Sequence, residues 1–585
     1  MVPSEHVSLE HGVAVRIARR TQRRETFWQE VLGSPFWTQP RTPQAVAIGM
    51  ALWLAIVGNW ALWRELARLG GAPSLYVPSM ITMVALIFPA TAALLAAVAW
   101  GRAVKPVALL VLLVAGFAQH YMLQFHIVID PGMVANVVQT DVGEARDLLS
   151  ARMLADVLLV VLLPALWLWR VPVIAQRWPT LLWRNALLLV LAAAVAVAAG
   201  VTMNRQLAPL MRNNPQLRYM VNPLSTFYSL GRHVFKSGRT QGQALVAITG
   251  GAALGASYAA APARPPLLLL VVGETARADH FGINGYVRDT TPRLAAQDVL
   301  SWRNAHSCGT STAASVPCMF SHLGKTGFEA RKNEYENLLD VLQAAGLAVL
   351  WVDNQAGCKG VCDRVASAST RDAAGAAAAR EFCDGDECLD DALLANLDQR
   401  IAALPAERTA RGVVVVLHQM GSHGPAYYKR SAQKLKHFSP ECRTIELSQC
   451  PHEALINAFD NSIVQTDHLL GSAIDWLKAR ERQQQNQTAL LYMSDHGESL
   501  GEYGIYLHGM PYAFAPESQK HVPMVFWPGA LAQRTQVSVG CLRGKLDDAV
   551  THDNLYPTVL GLMDVKTPTY RAALDAFNPC RNKAG

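Results

Sequence analysis

The chain has 585 residues, 51% of them hydrophobic and only 17% Asp, Glu, Lys or Arg, with a net charge of +7. Soluble chains carry about 25% charged residues, so a disordered or wholly soluble protein is excluded. The small positive balance makes no case for a nucleic-acid partner, because the arginine clusters sit beside apolar runs. All ten cysteines lie at or after Cys308, so the chain divides into a cysteine-free half and a cysteine-bearing half. Its length suits several domains of roughly 100–200 residues each.

Five apolar segments fall near 43–63, 80–100, 106–124, 153–169 and 186–203. Each matches the roughly 20 helical residues that cross a hydrocarbon core of about 30 Å. One set of alternate loops holds Arg16, Arg19, Arg20, Arg23, Arg24, Arg41, Arg102, Lys105, Arg170, Arg177 and Arg184. The other set holds only Arg64, Arg68, Arg146 and Arg152. Basic loops stay in the cytoplasm, so the N-terminus is expected inside and everything after about Met203 outside. No cleavable signal is expected, since the first apolar run starts some 40 residues in and is too long. The expected division is a cytoplasmic tail (1–42), a transmembrane domain (43–203), an external connector (204–265) and an external domain (266–585).

The cysteines agree with that orientation, because disulfides persist in oxidising compartments. Sequence-local pairing suggests Cys308 with Cys318, Cys358 with Cys362, Cys383 with Cys388 and Cys442 with Cys450, leaving Cys541 with Cys580. Spacing alone does not fix the connectivity. A zinc–thiolate site is the weaker reading, because the pairs lack the C-x2-C form and a matching His pair.

In the connector, Asn222-Pro223, Phe227, Tyr228 and Phe235 suggest a helix or loop lying on the membrane. Arg205, Arg212, Arg218, Arg232 and Lys236 would face lipid phosphates; a solvated linker is the alternative. The Ala- and Gly-rich stretch 249–263 reads as a flexible tether.

Beyond it, continuous apolar runs at 267–272, 347–352, 413–417, 489–493 and 522–527 alternate with helical patterns. That texture predicts an α/β domain with a mostly parallel sheet and helices on both faces. Ligands in such sheets gather at the carboxyl ends of the strands. Those ends carry Glu274, then Asp353-Asn354 with Lys359 beyond, then His418 and the loop to His423, then Asp495-His496-Gly497-Glu498. Glu274, Asp495 and His496 form an oxygen-plus-imidazole set that suits zinc, and manganese less specifically. A hydroxyl beside such a cation loses its proton more easily. The loop 307–318 offers Thr310, Ser311, Thr312 and Ser315, and composition does not choose among them.

Several motifs carry a resemblance: VVGETARADH (271–280), SCGTSTAASVPC (307–318), GCKGVCD (357–363), GSHGP (421–425) and SDHGESLGEYGIYLHG (494–509). Together they resemble the phosphoethanolamine–lipid A transferases, a family that includes the mobile colistin-resistance enzymes and belongs to the alkaline phosphatase superfamily. The resemblance covers nearly the whole chain. It implies an alkaline phosphatase/sulfatase-like catalytic domain behind five membrane helices, in the bacterial inner membrane. It implies Thr312 as nucleophile, with Glu274, Thr312, Asp495 and His496 holding one Zn2+. His423 and His508 would serve substrate phosphate, proton transfer or a second zinc, and Lys359 would approach the donor head group. Gln355 and Ala356 depart from the Asn and Ser common in relatives. Asn136, Thr140 and Glu144 recur every four residues, which would put them on one helix face; the resemblance implies that they meet the donor's ethanolamine.

The implied partners are phosphatidylethanolamine as donor, lipid A or lipopolysaccharide as acceptor, and membrane lipids, with no nucleic acid and the protein a monomer. The implied reaction passes through phosphoethanolamine on Thr312 and would confer resistance to polymyxin. The rivals are another acceptor, such as core sugar or glucan, transfer of phosphoglycerol, or an idle scaffold or sensor. A sulfatase is disfavoured, because no C/S-x-P-x-R motif marks the candidate loop.

Overall fold

A computed structural model describes residues 34–70, 73–98, 100–140, 145–146, 148–240, 244–259, 264–372, 377, 380–384 and 387–582. The chain forms two compact units, residues 1–120 with 151–227, and residues 121–150 with 228–585. A linear cut near residue 203 therefore does not describe them. The link between the third and fourth apolar helices belongs to the second unit.

In the first unit, five helical spans are long and apolar enough to cross a membrane: Pro43–Leu69, Tyr76–Val98, Gly101–Phe125, Ala151–Arg170 and Trp178–Val201. The first opens with Pro43 at its first turn and with the Thr42 side chain accepting from the Ala45 N–H, which satisfies one otherwise orphaned donor. It is broken after Ile56 and resumes at Trp60. A buried polar knot sits at that break. Asn59 Nδ2 donates to the Leu54 and Asn222 carbonyls at 2.9 and 2.6 Å, and Asn222 Nδ2 donates to those of Gly58 and Ala115, both at 2.8 Å. Backbone groups freed in an apolar interior must find such partners. Leu159, Trp169, Val190 and Val201 remain exposed, as side chains facing lipid do.

The second unit is built on seven strands: β1 Pro266–Gly273, β2 Leu300–Trp302, β3 Ala348–Asp353, β4 Ala366–Ser369, β5 Val413–His418, β6 Gln487–Ser494 and β7 Met524–Trp527. Their order is β2-β7-β6-β1-β5-β3-β4. The pairs β6–β1, β1–β5, β5–β3 and β3–β4 are parallel, and only β7 pairs antiparallel with its neighbours. β1 shows why the strands read as continuous apolar runs. Leu267, Leu269 and Val271 pack on one side with Phe459, Leu470 and Ile474 of the long helix His452–Arg482. Leu268, Leu270 and Val272 pack on the other with Leu342, Val559 and Leu560. Both faces are covered, so no polar alternation survives.

Register fixes the site. Gly273 pairs with Ser494, Val272 with His418, and His418 with Asp353. The carboxyl ends of β1, β3, β5 and β6 therefore share one edge.

The stretch 249–259 is not a free tether. Val246 bridges to Tyr335, the N–H groups of Ile248 and Thr249 donate to Glu336 at 2.8 and 3.1 Å, and Ala253–Leu254 pairs with Val565–Lys566. Tyr258 Oη donates to the Met563 carbonyl at 2.8 Å. Small side chains gave no sign of this strap, because backbone groups make most of it. Residues 260–263 lie outside the described residues. The helix Leu224–Thr240 follows Asn222-Pro223, and Tyr228, Val234 and Phe235 are exposed on it.

Candidate active site

The helix Thr312–Met319 begins at the sheet edge, with Ser311 as its N-cap. The loop before it is fastened from four directions. His552 Nδ1 accepts from the Cys308 N–H at 3.1 Å, Lys325 Nζ donates to the Cys308 carbonyl at 2.5 Å, Tyr512 Oη to the Ser307 carbonyl at 2.9 Å, and Thr310 Oγ1 to the Met510 carbonyl at 2.6 Å. The Cys308–Cys318 disulfide closes the segment. Gly309 is required there, since a Cβ would lie 2.7 Å from Ser315 Oγ and 2.8 Å from Ala314 Cβ. The other four disulfides join Cys358–Cys362, Cys383–Cys388, Cys442–Cys450 and Cys541–Cys580.

These constraints bring Thr312, rather than another hydroxyl of the loop, against the carboxylates. Thr312 Oγ1 donates to Glu274 Oε2 at 3.0 Å and lies 3.4 Å from His496 Nε2. Gln355 Nε2 donates to the same Glu274 oxygen at 2.5 Å. The Gln355 departure thus has a place: its amide faces the carboxylate. Ala356 contributes its carbonyl, which accepts from Lys359 Nζ at 3.0 Å.

Glu274, Asp495 and His496 are fully buried, with one ligand atom from each lying within 4.8 Å of the others. His496 Nδ1 lies 2.9 Å from the Gly497 carbonyl. A carbonyl only accepts, so Nδ1 carries the proton and the Nε2 lone pair is left for a cation. That Nε2 lies 3.3 Å from Glu274 Oε1 and 3.4 Å from Asp495 Oδ2. Asp495 Oδ2 has no hydrogen-bond donor among the described residues. Two buried carboxylates facing a bare imidazole nitrogen are costly without a positive charge between them. A divalent cation neutralises both, and the donor set fits Zn2+.

The surrounding residues set the electrostatics. His508 Nδ1 lies 2.7 Å from Glu498 Oε2, and Tyr427 donates to the other Glu498 oxygen. The ring centroids of His508 lie 4.4 Å from His496 and 5.5 Å from His423. Burial, followed by the basic neighbours His508, Arg430, His496 and Lys359, holds His423 well below the ordinary histidine value. Its imidazole is therefore neutral at neutral pH. His418 is paired with Asp353 at 2.9 Å. Burial would raise the Asp353 pKa, yet the His418 charge and the hydrogen bonds from His418 and Trp351 hold it below the usual carboxylate range. Asp353 Oδ1 then accepts from the N–H groups of Gln355 and Gly357 at 2.8 and 3.1 Å, which aims the loop that carries Gln355 and Lys359.

A cavity of about 40 Å³ joins Thr312, Gln355, Lys359, His423 and His508 to Asn136 and Thr140. The helix Pro131–Gln139 ends before Thr140, which is its extended C-cap. Asn136 and Thr140 therefore do not share a helical face. Instead the Thr140 hydroxyl turns back onto the Asn136 carbonyl at 2.8 Å, and both still line the cavity. Glu144 lies outside the described residues.

Sequence reasoning missed several supports. Buried Asp390 accepts from the N–H groups of Met420 and Gly421, both at 2.8 Å, and so shapes the His423 loop. Gly421 has φ +52, and a Cβ there would lie 2.5 Å from the Glu274 carbonyl. Tyr427 and His552 were also missed. None sits in a spacing that marks function; each becomes visible only when distant segments meet.

The fold and site define an alkaline phosphatase-type α/β domain whose buried Glu274, Asp495 and His496 could hold a metal ion, with a threonine beside them. Residues 266–565 match the Sulfatase family model, and residues 87–237 match that of Phosphoethanolamine transferase EptA/EptB. The chain is 39% identical over 483 residues to phosphoethanolamine transferase EptA of Escherichia coli (strain K12), covering 82% of this chain and 86% of that one. It is 38% identical over 471 residues to phosphatidylethanolamine transferase Mcr-1 of Escherichia coli, covering 79% and 84%. The integral membrane lipooligosaccharide phosphoethanolamine transferase A of Neisseria meningitidis superposes with a TM-score of 0.84 at 32% identity, covering 92% of this chain and 99% of that one. The chain belongs to the phosphoethanolamine transferase family.

Proposed function

We propose that the protein transfers phosphoethanolamine from phosphatidylethanolamine to a phosphate of lipid A, through a covalent intermediate on Thr312. The observation that carries this reading is the Thr312 hydroxyl, held 3.0 Å from Glu274 and 3.4 Å from His496 inside a buried ligand set. Glu274, Thr312, Asp495 and His496 would hold one Zn2+, which when bound lowers the hydroxyl's pKa and offsets charge on the phosphoryl oxygens.

The chain's own residues supply the rest. Thr312 Oγ attacks phosphorus with its proton directed at Glu274. Lys359 places a positive charge at the cavity wall, where the phosphoryl oxygens gather charge. His508, oriented by Glu498 at Nδ1, is placed to give the departing diacylglycerol its proton. Neutral His423 then takes the proton from the incoming acceptor. Asn136 and Thr140 offer polar groups to ethanolamine.

The excess of Lys and Arg in alternate loops supports an N-terminus in the cytoplasm, with the disulfide-bearing unit in the periplasm and the spans in the inner membrane. Ethanolamine adds positive charge to lipid A, which weakens the attraction of cationic polymyxin.

Mass spectra of lipid A from cells with and without the gene test this reading, with Thr312→Ala as control. Phosphoethanolamine on a lipid A phosphate, lost in the variant, is expected. Unchanged lipid A with modified core sugar or glucan would replace the acceptor.

A further inference from the structure

A second, larger cavity of about 640 Å³ adjoins the reaction cavity and shares Gln139, Ser311, Ala313 and Lys359 with it. Its volume falls in the range of sites for ligands of drug size, about 300–1,000 Å³. Its lining outside the reaction cavity includes Arg232 of the helix Leu224–Thr240.

The charges on its walls are mostly committed. Arg364 grips Asp340 through two bonds of 2.8 and 2.7 Å, and Arg331 is paired with Glu334 at 3.3 Å. Glu329 meets Lys325 at 3.1 Å, and Glu336 accepts the two backbone N–H groups of the strap. Two cations and one carboxylate, Asp363, are left over among the described residues. Lys359 Nζ donates only to the carbonyls of Ala356 and Gln139 among the described residues, and Arg232 has no carboxylate partner among them. Lys359 lines the reaction cavity with Thr312, and Arg232 lines only the larger cavity.

The donor has no use for the second cation. Phosphatidylethanolamine carries one anion, the phosphoryl group that Thr312 attacks, and its ammonium would be repelled by a guanidinium. A ligand with a further anion beyond the reacting phosphate does have a use for it. Arg232 stands on a helix whose exposed Tyr228, Val234 and Phe235 suit a lipid surface, so that ligand arrives from the membrane side. Resting on the function proposed above, the geometry points to this cavity as the acceptor's binding groove, with Arg232 selecting a glycolipid that carries a second anionic group. In the second half-reaction an oxygen of the acceptor's phosphate bonds to phosphorus while the bond from phosphorus to Thr312 Oγ breaks. The acceptor's proton, taken by His423, passes on to the departing Thr312 Oγ, and a phosphoanhydride results.

The test uses the full-length detergent-solubilised enzyme and its Arg232→Ala, Arg232→Glu and Arg232→Lys variants. Diacylglycerol release and adduct formation on Thr312 report the donor half. Transfer to bis-phosphorylated or mono-phosphorylated lipid A reports the acceptor half. A lost charge-assisted contact should raise the KM for the bis-phosphorylated acceptor about tenfold more than it slows the donor half. Arg232→Lys should recover part of the loss, and the mono-phosphorylated acceptor should show little difference among the variants. Equal slowing of both halves, or equal sensitivity of the two acceptors, would overturn the proposal. If wild type forms no adduct on Thr312, the functional reading itself fails and this proposal falls with it.

Discussion

Thr312 Oγ1 stands 3.0 Å from Glu274 Oε2, with both side chains buried at the carboxyl edge of the sheet. That contact selects one hydroxyl from a loop that offers four. Thr312→Ala should remove turnover by about a thousandfold or more, as loss of a nucleophile does. Thr312→Ser keeps the oxygen and should retain measurable turnover of a fluorescent phosphatidylethanolamine. Equal activity in the Ala variant would remove Thr312 from the mechanism.

The ligand set predicts a metal-linked stability. Glu274, Asp495 and His496 bring two carboxylates together in a dry site, so chelation leaves them mutually repelling. Thermal unfolding of the chelated protein should shift to lower temperature and be restored by Zn2+, since binding to the native state alone stabilises it. Asp495→Asn should lower zinc content measured by elemental analysis. An unchanged melt with full zinc content in that variant would contradict the assignment.

Gln355 donates to Glu274 at 2.5 Å and lies 3.4 Å from Thr312 Oγ1. It therefore orients Glu274, a ligand of the proposed zinc. Gln355→Ala should weaken zinc affinity by about 10–100-fold, as removal of such partners does. Competition with a chromophoric chelator measures this. An unaltered affinity would leave Gln355 only a contact with substrate.

Burial holds His552 at about 4, below the ordinary 6.5. Its neutral ring accepts from Cys308 and donates to the Ser494 carbonyl at 2.9 Å. The unfolded chain binds a proton here more readily than the native one. The stabilisation is therefore full above about 6.5 and is lost as pH falls toward about 4. His552→Gln keeps a donor and an acceptor but does not titrate. Its unfolding midpoint should fall less steeply between about pH 6.5 and 4 than that of wild type. Parallel slopes would exclude the residue from acid sensitivity.

The fold was legible where composition carries it. Runs such as Leu267–Val272 and Val413–Leu417 announced strands buried on both faces, and the five apolar spans announced themselves by length. Glu274, Asp495 and His496 could be grouped because parallel strands bring their carboxyl ends to one edge. The supports were less visible. Asp390 and His552 act through backbone groups far away in the chain, and no periodicity records such contacts. The strap at 244–259 was hidden for the same reason. Asn136 and Thr140 were paired by a helical spacing that the chain does not keep, since the helix stops at Gln139. They meet at the cavity because the extended residue after the helix folds back.

The most direct measurement is the intact mass and peptide map of the detergent-solubilised protein after incubation with phosphatidylethanolamine and no acceptor. A phosphoethanolamine adduct on Thr312, absent in Thr312→Ala and discharged by lipid A, is the predicted result. An active protein that carries no adduct at any time, or carries it on another residue, would contradict the account.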